Sequence, residues 1–258
     1  MGNSAAGECR VGSWTDVVAV AAGNVHTANN TGRSHTVGLR SDGSVIATGW
    51  NGDGQCDVLA WRGVTTVAAG WRRTLGLLKD GTILAVGRGS EGQCDVARWR
   101  DIVGLSCGDW HSVGVRADGT VLAVGVNRRR QCAVEPWGDV IAVVAGYMHT
   151  LALRNDGRAL ATGDQTSGVC DVGDWAHIVQ LGAGSYHSVA LTTQGSALAA
   201  GDNSHGQCEV ADWENIVAIA AGSTHTLGLR VDGTVLSTGN NADGQCTTNN
   251  WTGVKVLQ

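Results

Sequence analysis

Short apolar runs of four to seven residues alternate with polar breaks along nearly the whole chain, and the alternation keeps a fixed period. One stretch shows the pattern. It reads Ile216–Gly222 (IVAIAAG), Ser223-Thr224, His225–Arg230 (HTLGLR), Asp232-Gly233, Thr234–Gly239 (TVLSTG), a polar loop, then Gly244-Gln245-Cys246. Runs this short, rich in Val, Ile, Leu and Thr, predict β-strands rather than helices. Asp-Gly between two such runs predicts a tight hairpin, because the central residues need positive φ. Each unit is therefore predicted to hold four strands: A ending in Ala-Ala-Gly, B from His-Thr, C ending in Thr-Gly, and a weaker D around Gln-Cys-x-Val.

The hairpin pair recurs every 38 residues, at Asp42-Gly43, Asp80-Gly81, Asp118-Gly119, Asp156-Gly157, Gln194-Gly195 and Asp232-Gly233. Cys56, Cys94, Cys132, Cys170, Cys208 and Cys246 keep the same register, as do Trp61, Trp99, Trp137, Trp175, Trp213 and Trp251. A constant period of this length means one supersecondary unit stacked many times. The predicted fold is all-β, a β-propeller of four-stranded blades, because radial repetition leaves few open sheet edges. The B–C hairpin occurs six times, whereas the segment of Trp plus strand A occurs seven times, from Trp14 to Trp251. That gives six complete repeats plus a partial seventh, and leaves six or seven blades open. The first unit is longer: Gly23 to Gly70 spans 47 residues, and the extra length lies around Val25–Ser34, read as a polar surface loop.

The unbroken period predicts a single domain over residues 1–258. A net charge of −5 argues against nucleic acid as a partner, since phosphate binding needs cationic surface. No apolar stretch approaches membrane-spanning length, so no membrane partner is expected. The first residues lack the basic and apolar regions of a secretory signal, and Gly2 reads as a repeat glycine rather than a myristoylation site, since Ala6 stands where Ser or Thr is wanted. The register cysteines show no C-x-x-C spacing, so no metal site and no cofactor is expected. Equivalent positions on neighbouring blades are expected to be too far apart for disulfides. Small buried thiols fit that pattern, and eight unpaired cysteines suit a reducing, cytoplasmic location.

The consensus Gly-x-x-His-Thr-x-x-Leu-Arg-x-Asp-Gly-x-Val-x-x-x-Gly-x-Asn-x-x-Gly-Gln resembles the repeat of the regulator of chromosome condensation family. The short unit is similar to the bacterial branch that includes propeller-type β-lactamase inhibitor proteins. The resemblance spans essentially the whole chain and implies a propeller. Members of the family act as exchange factors, inhibitors, photoreceptors and scaffolds, so it implies no single function. This chain departs from the pattern at Arg73, where His is expected, at Val169, where Gln is expected, and at Arg130, where Gly is expected.

Residues present in every unit are expected to be structural. His111, His149, His187 and His225 begin strand B and read as core histidines tying strand to loop, not as nucleophile dyads with the cysteines. The register Trp residues are expected to pack between blades. Function is expected where the units differ, in the A–B and C–D loops, which emerge on one face opposite the Asp-Gly hairpins. That face carries Trp50, Trp71, Arg72, Arg88, Trp110, Arg128, Arg129, Arg130, Tyr147, Met148 and Tyr186. Aromatics beside Arg are the usual composition of binding hot spots. The expectation is a non-enzymatic propeller that binds another protein through this face. The alternative implied by the resemblance is guanine-nucleotide exchange on a small GTPase, with Val25–Ser34 as the one candidate wedge.

Overall fold

The structure is a computed structural model that describes residues 4–23 and 33–255. Its strands form six three-stranded antiparallel sheets. The first holds β1 (Val17–Ala22), β2 (His35–Arg40) and β3 (Val45–Gly49); the second β4 (Val64–Gly70), β5 (Arg73–Leu78) and β6 (Ile83–Gly87). The third holds β7 (Ile102–Cys107), β8 (His111–Arg116) and β9 (Val121–Gly125); the fourth β10 (Val140–Ala145), β11 (His149–Arg154) and β12 (Ala159–Gly163). The fifth holds β13 (Ile178–Ala183), β14 (His187–Thr192) and β15 (Ala197–Gly201); the sixth β16 (Ile216–Ala221), β17 (His225–Arg230) and β18 (Val235–Gly239). Strands A, B and C of every unit fall where the pattern puts them. Among the described residues, no helix is long and apolar enough to cross a membrane.

The expected fourth strand is a correction. Residues 51–61 and their equivalents form successive turns: Gly54 N–H donates to Asn51 O, Asp57 to Gly54 O, Val58 to Cys56 O and Trp61 to Val58 O. Asn51 Oδ1 accepts from the Cys56 amide at 2.7 Å, and Gln55 Oε1 from the Asp53 amide at 3.1 Å. Backbone donors used locally are unavailable to a ladder, so no strand forms. The alternation that mimicked a strand is that of half-buried Cys56 and buried Val58 about exposed Asp57, while Gln55, three residues before Val58, is buried by the turns.

Five apolar cores join the six blades, each between consecutive sheets. In the first, Val37, Leu39 and Val45 of blade one meet Val64, Val67 and Ala69 of blade two, with Val58 and Trp61 of the linking turns between them. The register Trp thus packs between blades. Trp61 lies over Gly76, where a Cβ would come within 2.7 Å of the indole, so strand B carries only a small residue there, glycine or, at Ala152 and Ala190, alanine.

A polar relay runs beside each core. His35 Nε2 lies 2.9 Å from Thr74 Oγ1, and that hydroxyl donates to Gln55 O at 2.8 Å. The same geometry links His111 to Thr150, His149 to Ser188 and His187 to Thr226. Because the hydroxyl's proton goes to the carbonyl, the imidazole must donate from Nε2, which fixes the neutral tautomer. Burial pushes the imidazoles down, to about 4 for His35 and His187 and about 3 for His111 and His149. Each ring also sits where a Cβ on the glycine ending the A segment would stand; at Gly146 that Cβ would meet His149 Cε1 at 2.2 Å.

The three departures have local accounts. Arg73 replaces the imidazole in the second relay: it is fully buried and donates to Ser112 Oγ at 3.1 Å, to Asp109 O and Gly108 O at 2.8 Å each, and to His111 O. Val169 lacks the amide side chain but keeps the carbonyl that Ser188 needs, at 2.7 Å. Arg130 takes φ 68° where the other units place glycine, a left-handed conformation that costs a non-glycine residue about 1 kcal/mol.

Among the described residues no disulfide joins the cysteines, and the register thiols bond to backbone carbonyls. Each register Sγ donates to the carbonyl six residues earlier, as Cys94 does to Arg88 O at 3.1 Å and Cys208 to Asp202 O at 3.3 Å. Burial pushes these thiols up, to about 11 for Cys56, Cys94, Cys170 and Cys208 and about 12 for Cys132.

Candidate functional site

Strand parity brings the two variable loops to one end of every blade, and a backbone hydrogen bond ties them there. Arg88 N–H donates to Arg72 O at 2.8 Å, Val126 to Trp110 O at 3.0 Å, Asp164 to Met148 O at 2.9 Å and Asp202 to Tyr186 O at 2.7 Å. The Asp-Gly hairpins lie at the opposite end of strands B and C.

On that face, blades one to three assemble an alternating stack. Arg33 lies over Trp50 at 5.6 Å, and Arg72 lies between Trp50 at 4.7 Å and Trp71 at 4.5 Å. Arg88 lies over Trp71 at 5.4 Å and Trp110 at 5.8 Å. Trp71 and Trp110 meet directly, with centroids 4.5 Å apart and planes tilted by 53°. Each cation over an indole contributes roughly 0.5–2 kcal/mol, more as water is excluded. The stack therefore holds long side chains in one ordered arrangement.

Carboxylates hold the guanidinium groups in place. Arg72 pairs with Asp53 at 3.4 Å, and Arg88 forms a two-pronged pair with Glu91. Hydrogen bonds from Arg88 hold the Glu91 carboxyl down to about 2, against the opposing effect of burial. Burial lowers the Arg72 guanidinium from its ordinary value while Asp53 opposes the shift. Arg72 also has φ 62°, a left-handed backbone that places its side chain inward between the two indoles.

Next along the face, Tyr147 and Tyr186 meet edge to face at 5.3 Å, and burial followed by the neighbouring Tyr147 raises the Tyr186 phenol. Met148 Sδ accepts from Gln131 Nε2 at 3.2 Å. Arg128, Arg129 and Arg130 are exposed on the third blade's turn segment. Against the desolvation that opposes it, hydrogen bonds from Thr166 and the charge of Arg129 hold the Asp164 carboxyl below its usual value.

Of the residues singled out from the sequence, Trp50, Trp71, Arg72, Arg88 and Trp110 form one contiguous cluster. Tyr147 and Tyr186 form a second contact, with Met148 beside it. Arg128–Arg130 stand outside the five cation–ring contacts. Sequence reasoning missed Arg33, Asp53 and Glu91 as partners; Asp53 and Glu91 share one register position, 38 residues apart, which was the available signal. Residues 25–32 of the expected loop, with Asn24, lie outside the described residues. The arrangement offers stacking and ion pairing, and among the described residues no group of three or more His, Cys, Asp or Glu side chains converges to hold a metal.

No curated protein sequence matches the chain. Among solved structures, yeast RCC1 (Prp20) bound to Kap60 superposes with a TM-score of 0.72 at 18% identity, covering 93% of this chain and 74% of that one. Prp20p from Saccharomyces cerevisiae, described with its binding to Gsp1p and histones, gives 0.73 at 17%, covering 93% and 76%. The CRINKLY WD40 ectodomain of the Arabidopsis thaliana receptor kinase ACR4 gives 0.68 at 20%, covering 86% and 85%. These likenesses show the fold. The model for the Regulator of chromosome condensation (RCC1) repeat matches six segments, residues 30–55, 64–93, 102–131, 140–169, 178–207 and 216–245. With six matches covering more than half its length, the chain belongs to the regulator of chromosome condensation (RCC1) repeat family.

Proposed function

We propose that this chain is a non-enzymatic, protein-binding propeller that engages its partner through the A–B and C–D loop face. The observation that carries the reading is the Arg72-centred stack of Trp50, Trp71, Arg88 and Trp110. Half-buried aromatics already locked by guanidinium groups are the anchors that hot spots use. The solved relatives named for binding Kap60, Gsp1p and histones support a protein as the partner class. The half-buried, hydrogen-bonded register thiols, none in a disulfide, suit a reducing, cytoplasmic setting.

The test is affinity capture with the wild type and the joint Trp71→Ala, Trp110→Ala, Tyr147→Ala variant. Loss of the captured partner with unchanged circular dichroism supports the reading; undiminished capture contradicts it. The second reading, guanine-nucleotide exchange, rests on the fold shared with Prp20p. A release assay with a labelled nucleotide on small GTPases decides it, since a rate no faster than the spontaneous one dismisses exchange.

A further inference from the structure

Charge is unevenly spread on the loop face, and its one run of cations breaks the repeat. Gly52-Asp53-Gly54, Ser90-Glu91-Gly92, Thr166-Ser167-Gly168, Ser204-His205-Gly206 and Ala242-Asp243-Gly244 share one register position, which in the third unit is Arg128-Arg129-Arg130. In blades one and two the middle residue supplies the Asp53 and Glu91 carboxylates that fasten Arg72 and Arg88. At Arg129 the sign is reversed. All three arginines are exposed, and among the described residues none of them forms a salt bridge.

The turn itself does not need these side chains. Arg129 N–H donates to Gln131 Oε1 at 2.9 Å, as Asp53 does to Gln55 and Glu91 to Gln93. Cys132 N–H donates to Asn127 Oδ1 at 2.9 Å, the bond that Cys56 makes to Asn51. Arg130 O accepts from Thr162 Oγ1 at 2.9 Å, as Gly206 O does from Thr238. One cost sets the third unit apart. Among the described residues, seven non-glycine residues have positive φ, and five of them, Asp16, Asp101, Asp139, His177 and Asn215, precede strand A at equivalent positions. The other two, Arg72 and Arg130, are both arginines of the loop face. Glycines at 73–80° hold the Arg130 position in the other units, where a Cβ is disfavoured. Arg72 is repaid by the two indoles it separates. Arg130 has no such contact, and strain left unrepaid inside the fold marks a site of function.

We propose that Arg128–Arg130 receive a carboxylate-rich segment of the protein partner. This rests on the loop face being the interface. A guanidinium fork matches a carboxylate with two parallel hydrogen bonds, and adjacent forks suit successive acidic residues. The turn is tied to the aromatic side of the face. Gln131, which holds the Arg129 amide, reaches Met148 Sδ at 3.2 Å, and Val126 N–H at the base of the turn donates to Trp110 O at 3.0 Å. An acidic segment seated here therefore continues onto the aromatic anchors. A nucleic-acid strand is disfavoured as the occupant. The cationic stretch is one turn wide, Asp164, Asp202 and Asp243 follow on the later blades, and the whole chain carries a charge of −5.

The probe is a fluorescein-labelled oligoglutamate peptide, added to the full chain and followed by anisotropy at low salt. Saturable binding is expected. Joint Arg128→Ser, Arg129→Glu and Arg130→Gly reproduces the turn of the second unit, which keeps the fold, and is expected to weaken binding by about tenfold or more. Joint Lys79→Glu and Arg158→Glu makes the same change in net charge on exposed hairpins at the opposite end, and is expected to leave binding unchanged. No binding, or equal weakening by the two variants, overturns the proposal. So does a labelled oligonucleotide that binds the same arginines more tightly than the peptide. Capture of the native partner separates this inference from the one beneath it. Loss of capture by the arginine variant as well as by the Trp71, Trp110 and Tyr147 variant supports it. Capture kept by the arginine variant and lost by the aromatic one overturns the acidic segment alone, whereas capture kept by both overturns the loop-face reading with it.

Discussion

Mild acid is expected to unfold this protein through its buried histidines. His35, His111, His149 and His187 are neutral in the folded state because Nε2–H is committed to a hydroxyl and burial excludes the second proton. Their folded values lie at about 3 to 4, below the ordinary 6.5. The unfolded chain therefore takes up protons first as pH falls, so stability is full above about 6.5 and declines towards about 4. One pH unit in that window costs about 1.4 kcal/mol per histidine. At pH 5 each loses about 2 kcal/mol, and the four together about 8 kcal/mol. That equals much of the 5–15 kcal/mol that holds a typical domain together. The lowered carboxyls, such as Glu91 at about 2, begin to act only as pH falls through their ordinary value near 4.5, below the range of the assay. The assay is urea unfolding by Trp fluorescence at half-unit steps from pH 7.5 to 5, with imidazole resonances followed in parallel. A stability unchanged across that range, or imidazoles that titrate near 6.5 while the protein stays folded, refutes the reasoning.

Other consequences are smaller in scope. Trp61→Ala removes the plug of the first interblade core and is expected to cost about 3–5 kcal/mol, whereas the half-exposed Trp251→Ala costs about 1 kcal/mol or less, both read from urea midpoints. Arg73→Ala leaves backbone carbonyls and a buried hydroxyl unsatisfied and is expected to cost about 3 kcal/mol or more, with Arg73→His recovering part of it by restoring the family relay. Arg130→Gly relieves the left-handed strain and is expected to raise stability by up to about 1 kcal/mol. Alkylation at pH 8 is expected to modify exposed Cys9 first and the register thiols slowly, as mass spectrometry of timed samples will show.

Most of the fold was legible because it is periodic. The Asp-Gly pairs and the alternation around them placed strands A, B and C in all six units, and parity then put both variable loops on one face. Strand D was not legible. Cys-x-Val reads as an alternating strand, but a glycine at positive φ and an Asn side chain that accepts the Cys amide turn the backbone every three residues. The surplus copy was visible in the sequence as a seventh Trp-containing segment, yet its placement beyond blade six follows only from Val254 N–H reaching Gly233 O. At the site, the residue types were legible but not their order. Arg72 stacks between indoles from positions 50 and 71, and Arg88 reaches Trp110, because adjacent blades bring residues from different units side by side. Nor did the sequence indicate that Asp53 and Glu91 would fasten those guanidinium groups.

Hydrogen–deuterium exchange on the complex with the captured partner tests the central claim most directly. The account expects protection concentrated at residues 50–53, 71–72, 88–91, 109–110, 147–148 and 186, with the hairpins at 42–43, 80–81, 118–119 and 156–157 unchanged. Protection confined to the hairpin end, or to the outer edges of the blades, would contradict it.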